Sequence, residues 1–268
     1  MTASDPAMPS AADVERLGPW GAVMAEPGDE AAQAPPPPQP PRSALSAFGW
    51  GLVSTAVLAL FLGLQWGWIC AAAGVLGVLV HELGHLVAIN GLGCGPGRIQ
   101  IIPFFGGAAT MRRAPDTEFK SVLIALAGPV AGLIAAAPFW LLYATSGQTD
   151  WLKGVLFVGG LNLLNLAPAP PLDGAKALGP ILAWIHPAVE RSVMILLGAL
   201  GVYAAVRLSQ PIIAVFVGLG VAQAVMGRAP RAPALRMSVG QWLLSLALWV
   251  FAFALCAGVT WSALPQET

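Results

Sequence analysis

A chain of 268 residues that is 57% hydrophobic and only 10% charged, with a mean hydropathy of +0.74, has the composition of an integral membrane protein; globular domains carry about 25% charged residues. Lys and Arg total 13 and Asp and Glu total 13, so the formal net charge is zero and bulk charge gives no case for a nucleic-acid partner. Cys70, Cys94 and Cys256 form no CxxC pair and imply no disulfide framework; Cys70 and Cys256 sit in apolar runs as packing residues.

Residues 1–43 are polar, rich in Ala and Pro, and close on a proline run from Pro35 to Pro41, which reads as a disordered tail ending in a stiff polyproline II spacer. No basic segment followed by an apolar one opens the chain, so the first spanning helix is expected to serve as its own insertion signal. Residues 44–268 form the membrane domain. A spanning helix needs ~20 apolar residues, and seven apolar runs follow one another: about 44–64, 68–92, 120–143, 152–166, 189–208, 211–226 and 239–261. The fourth is short because Pro168, Pro170 and Pro171 remove backbone donors and clash with a preceding helical turn. Between the second and third runs lies a less apolar stretch, Gly93–Phe119, read as a small membrane-associated β-hairpin or re-entrant loop. The expected fold is an all-α polytopic membrane protein with about seven transmembrane helices.

Seven spans put Arg16, Arg42, Arg98, Arg112, Arg113, Lys120, Lys176, Arg191, Arg228, Arg231 and Arg236 on one side, and only Lys153 and Arg207 on the other. This positive-inside bias predicts a cytoplasmic N-terminus and an external C-terminus.

The second run carries His81-Glu82-Leu83-Gly84-His85. On a helix, residues four apart share one face, so both imidazoles can reach one metal ion, while Glu82, turned by about 100°, can reach a water instead. An HExxH is inert often enough on a polar surface helix. Within a membrane run a glutamate costs roughly 2.5–3.5 kcal/mol at the bilayer centre and marks function. Zinc suits this donor set: neutral nitrogen ligands, an open position and a nearby base.

A catalytic zinc has three protein ligands as a rule. Asp116, Glu118, Asp150, Asp173, His186 and Glu190 are the candidates for the third. Asp150 falls on the far side of the predicted topology, and Asp116 and Glu118 stand among Arg112, Arg113 and Lys120 as a solvated face. Glu190 suits a helix start, and His186 is retained as a weak rival. His81 and His85 fall in the half of the second run nearer its cytoplasmic end, and Asp173 lies where prolines break a span on that same side. Non-helical backbone at membrane depth is tolerated only when buried or lining a wet cavity. The bland alternative is an aspartate in a turn beside a proline-capped helix end.

The pairing of this HExxH with Asn165-Leu-Ala-Pro168-Ala-Pro170-Pro171-Leu172-Asp173-Gly174 resembles the site-2 protease family of intramembrane zinc metalloproteases, over a core of about residues 68–178. Phe104-Phe105-Gly106-Gly107-Ala108 is similar to that family's membrane hairpin, and Ala127-Gly128-Pro129 to its third-span signature. Ala175 and Gly132 depart from the family pattern, which often has glycine and asparagine there. Length leaves no room for inserted PDZ or appended CBS domains, so the chain resembles the compact, sporulation-protease-like type.

The resemblance implies Zn2+ held by His81, His85 and Asp173, with Glu82 as catalytic base. It further implies a bacterial cytoplasmic membrane, an active site near the cytoplasmic side, and single-span, membrane-tethered regulators as substrates. A regulatory membrane partner or a homo-oligomer fits the same picture. Asn165, Gly106 and Gly107 are candidate substrate-binding positions: Asn165 as a donor to substrate backbone or oxyanion, the glycine-containing segment as a strand edge that holds an unwound substrate. An ordinary interhelical hydrogen bond and a packed re-entrant loop are the plainer readings of those two features. An enzyme of another HExxH membrane class would take a glutamate as third ligand, and Glu190 matches that poorly. A metal transporter or a client-binding scaffold is the non-proteolytic alternative; a transporter should carry polar residues along several spans, and most of these runs are nearly free of charge.

Overall fold

The computed structural model describes residues 44–102, 106–170, 172–226 and 234–264. The expected proline-rich tail, Phe104, Phe105, Pro171, Arg228 and Arg231 lie outside the described residues.

Every apolar run is helical. In chain order the elements are α1 (Ala44–Trp66), α2 (Trp68–Gly91), β1 (Arg98–Ile102), β2 (Gly106–Thr110), α3 (Glu118–Gly132), α4 (Ala137–Ser146), α5 (Leu152–Asn165), α6 (Asp173–Ile185), α7 (Pro187–Arg207), α8 (Pro211–Val225) and α9 (Val239–Ser262). A 3-10 turn, Leu133–Ala136, joins α3 to α4 as one rod. Among the described residues, α2, the Glu118–Ser146 rod, α7 and α9 are long and apolar enough to cross a membrane, and Gly51–Trp66 within α1 is a shorter apolar helix. The chain is an integral, predominantly helical membrane protein with one small sheet.

That sheet is an antiparallel hairpin in which Arg98 pairs with Thr110 and Ile102 with Gly106. It follows α2 and packs against α1 and α2. Of the two readings for this stretch, the hairpin is the one observed.

Helix α2 organises the bundle, contacting α1, α3, α5 and the hairpin. Its buried residues, Cys70, Ala73, Gly74, Gly77, His81, Glu82, Gly84, His85 and Ile89, recur at three- and four-residue intervals and form one stripe. Small residues fill the early turns of that stripe and let neighbouring helices come close. The opposite side presents Leu79, Leu83 and Val87, all exposed, as a lipid-facing surface would.

Around α3, α6 and α9 a second core forms from Val122, Ala125, Leu126, Leu166, Ala177, Leu178, Ile181, Met237, Ala252 and Cys256. The chain leading into α9 is sewn to the start of α3: Leu235 N–H donates to the Asp116 carbonyl at 2.8 Å and Glu118 N–H donates to the Leu235 carbonyl at 3.0 Å. Thr117 caps α3 by accepting from Lys120 N–H, and Ser238 with Gln241 forms a capping box on α9.

Helix α5 has 14 residues, about 21 Å at ~1.5 Å per residue, short of a ~30 Å hydrocarbon core. The chain leaves helical form at residues 166–170, and Leu172 is likewise non-helical before Asp173 opens α6. In this connection Leu166, Ala169 and Leu172 are buried, and Ala169 and Leu172 cluster with Val217 of α8. The irregular backbone is therefore covered by protein, as lipid surroundings require.

Candidate metal centre

Helix α2 supplies His81 and His85 one turn apart, and the first turn of α6 supplies Asp173 from about ninety residues downstream. His81 Nε2 lies 3.0 Å from Asp173 Oδ2, His85 Nε2 lies 3.0 Å from the same oxygen, and the two Nε2 atoms are 3.0 Å apart. All three side chains are buried. Among the described residues, this trio is the group of His, Cys, Asp and Glu whose ligand atoms converge.

The outer atoms of the trio decide what the inner ones can be. His85 Nδ1 is 2.8 Å from the Ile124 carbonyl of α3, which only accepts, so Nδ1 carries the hydrogen. His81 Nδ1 is 2.9 Å from Asn162 Oδ1 on α5. The Asn162 amide cannot be turned around, because its Nδ2 donates to the Val158 carbonyl at 2.9 Å. His81 Nδ1 is thus also a donor. In neutral imidazoles both Nε2 atoms then carry lone pairs, and both lone pairs share a corner with a carboxylate oxygen. Three acceptors with no hydrogen between them repel one another in a buried site, and a shared cation removes that cost.

The size of the triangle fits too. Atoms 3.0 Å apart are close enough for one ion to bond all three at ~2.0–2.2 Å. Two imidazoles and a carboxylate form the donor set of a zinc site. Each ligand also has an outer partner of its own: Asn162 for His81, Ile124 for His85, and Lys176, whose Nζ donates to Asp173 Oδ1 at 3.0 Å.

Glu82 follows His81 on α2 and is buried. Its Oε2 has no hydrogen-bond partner among the described residues. An unsatisfied buried carboxylate oxygen is costly and marks a site that handles water or protons.

The other candidate ligands stand elsewhere. Asp116 pairs with Lys120 at 2.9 Å, and that hydrogen bond holds its exposed carboxyl below the usual carboxylate range. Asp150 pairs with Lys153 at 2.6 Å. Glu118 accepts from Met237 N–H at 3.3 Å. His186 caps α7 by accepting from Ala188 N–H at 3.1 Å. Asn165, the predicted substrate contact, donates to the Leu161 carbonyl of its own helix at 3.1 Å. Gly106 and Gly107 lie on β2.

Asn162, Ile124 and Lys176 were not anticipated from sequence as parts of this centre. A polar amide within the apolar 152–166 run is a signal for Asn162; no sequence signal exists for a backbone carbonyl.

These features define a class: a helical membrane protein with a buried His-His-carboxylate group that could hold a metal ion. The chain is 30% identical over 130 residues to a Synechocystis sp. protein provisionally named a zinc metalloprotease, a match that covers 45% of this chain. It spans only about a third (33%) of that protein's length. Among solved structures it is similar to the site-2 protease from Methanocaldococcus jannaschii, with a TM-score of 0.43 and 21% identity, over 71% of this chain and 92% of that one. No family model matches the chain.

Proposed function

We propose that this protein is an intramembrane zinc metalloprotease of the site-2 protease type, hydrolysing a peptide bond in or near a transmembrane segment of a membrane-tethered substrate. What carries the reading is the convergence of His81 Nε2, His85 Nε2 and Asp173 Oδ2, with both Nδ1 atoms committed as donors. The HExxH order and the stretch shared with the Synechocystis protein support it.

His81, His85 and Asp173 would hold the ion. When bound, zinc polarises a carbonyl and lowers the pKa of a water toward ~7. Glu82 removes one proton from the attacking water as its oxygen bonds to the peptide carbon. The same carboxyl returns that proton to the amide nitrogen as the C–N bond breaks, leaving a carboxyl and an amine. The burial of Glu82 and the trio limits bulk water. A helical substrate must first unwind, since its amides are internally bonded. Asn165 and the Gly106–Gly107 segment are the positions proposed to receive it. We place the protein in a bacterial cytoplasmic membrane with its N-terminus and active site toward the cytoplasm, and its substrates among single-span regulators.

Co-expression with single-span candidate substrates tests the reading. Glu82→Gln keeps the zinc and loses about 10²–10⁴-fold in cleavage, the usual contribution of a general base. A metal transporter or scaffold would keep its activity in this variant, and equal cleavage by Glu82→Gln and wild type would exclude the mechanism.

A further inference from the structure

Asn162 is an amide buried completely inside a helical membrane bundle. Its two ends are both used: Nδ2 donates to Val158 of its own helix, and Oδ1 accepts from His81 Nδ1 on α2. The space it occupies exists because α3 carries no side chain there. A Cβ on Gly132 would overlap Oδ1, Cγ and Nδ2 of Asn162 at once. Three helices thus meet at one amide, and the amide faces the imidazole of a proposed ligand.

The two histidines differ in how they are held. His85 takes its orientation from the Ile124 carbonyl, a backbone group that no side-chain substitution removes. His81 takes its orientation from a side chain. We propose that Asn162 is a positioning residue of the metal centre: its Oδ1 fixes His81 in the Nδ1–H tautomer and aims Nε2 at Asp173, and Gly132 is the gap that admits it. This rests on the metalloprotease reading, because it concerns a metal ligand. The competing role for such an asparagine is to join helices by a hydrogen bond, which would leave metal affinity nearly unmoved.

The test uses the purified full chain, measuring Zn2+ affinity by chelator competition and the ligand-field bands of the Co2+-loaded protein. Asn162→Leu keeps volume and removes the acceptor; a 10–100-fold loss of Zn2+ affinity and shifted Co2+ bands are expected. Asn162→Asp restores an acceptor for Nδ1–H and is expected to return the affinity to within a few-fold of wild type. Gly132→Ala reaches the same amide from α3, so it is informative even if Asn162→Leu does not fold. Alone it should weaken Zn2+ binding, and combined with Asn162→Ala it should add little, since both act on one contact. Wild-type affinity in Asn162→Leu, or full additivity of Gly132→Ala with Asn162→Ala, overturns the proposal. His81→Ala is the control: if it binds Zn2+ as wild type does, the metal centre itself is wrong, whereas its loss of binding beside an unaffected Asn162→Leu rejects only the role of Asn162.

Discussion

Gly128 of α3 lies flat against the ring of His85 of α2, so closely that a Cβ at position 128 would overlap Nε2, Cε1 and Cδ2 together. The glycine of the Ala127-Gly128-Pro129 stretch is therefore the space in which one proposed ligand sits. Gly128→Ala should push the imidazole from the trio while leaving both helices in place. A displacement near 1 Å can cost on the order of 10²-fold in activity, so zinc content and cleavage should fall together at unchanged helicity. Metal analysis alongside circular dichroism checks this.

Lys176 bears on the Asp173 end of the centre. Its Nζ holds Asp173 Oδ1, but the lysine side chain is 63% exposed. An exposed partner contributes little, about 0–1 kcal/mol, and is screened by salt. Lys176→Met should therefore lower Zn2+ affinity by no more than about fivefold, with the difference shrinking as salt is raised. Titration at low and high ionic strength measures both effects.

The sequence made the scaffold readable where a single physical signal dominated. Continuous apolarity marked all seven runs, so the run predicted at 68–92 is α2, Trp68–Gly91, and the last, at 239–261, is α9, Val239–Ser262. Prolines that interrupt a span on the side of the histidines point to Asp173, and the broken segment lies where α5 gives way to α6. Helix α6 itself was not anticipated: Gly174, Gly179 and Pro180 obscure it, and its stability comes from packing Ala177, Leu178 and Ile181 against α3 and α9 rather than from propensity. Asn165 drew attention through its place in the proline motif, whereas Asn162, one turn earlier, is the amide that meets His81. Which of two asparagines faces a given histidine depends on helix rotation and on a glycine across the gap, neither of which a linear pattern encodes.

The metal is not the sole support of this fold. The ten-residue core around α3, α6 and α9 includes none of the trio. Chelation should abolish cleavage while helicity persists, and added Zn2+ should restore activity. Because the ion binds the folded state, saturating Zn2+ should raise the Tm, with about 2.7 kcal/mol gained at a hundredfold excess over Kd. Thermal denaturation with and without chelator reads this directly.

Cys70, Cys94 and Cys256 are all buried. Cys256 of α9 is fully enclosed, with its Sγ 4.0 Å from the Pro129 carbonyl of α3. A maleimide should modify none of the three in the native protein and all of them after denaturation. Rapid labelling of Cys256 in the native state would contradict the packing of α9 on α3.

Zinc stoichiometry tests the coordination sphere most directly. Wild-type protein purified with Zn2+ and freed of loose metal should hold about one ion per chain, and Asp173→Ala, prepared identically and equally helical, should hold almost none. Asp173→Ala retaining as much zinc as wild type would contradict the assignment of this carboxylate, and with it the joining of α2 and α6 through a single ion.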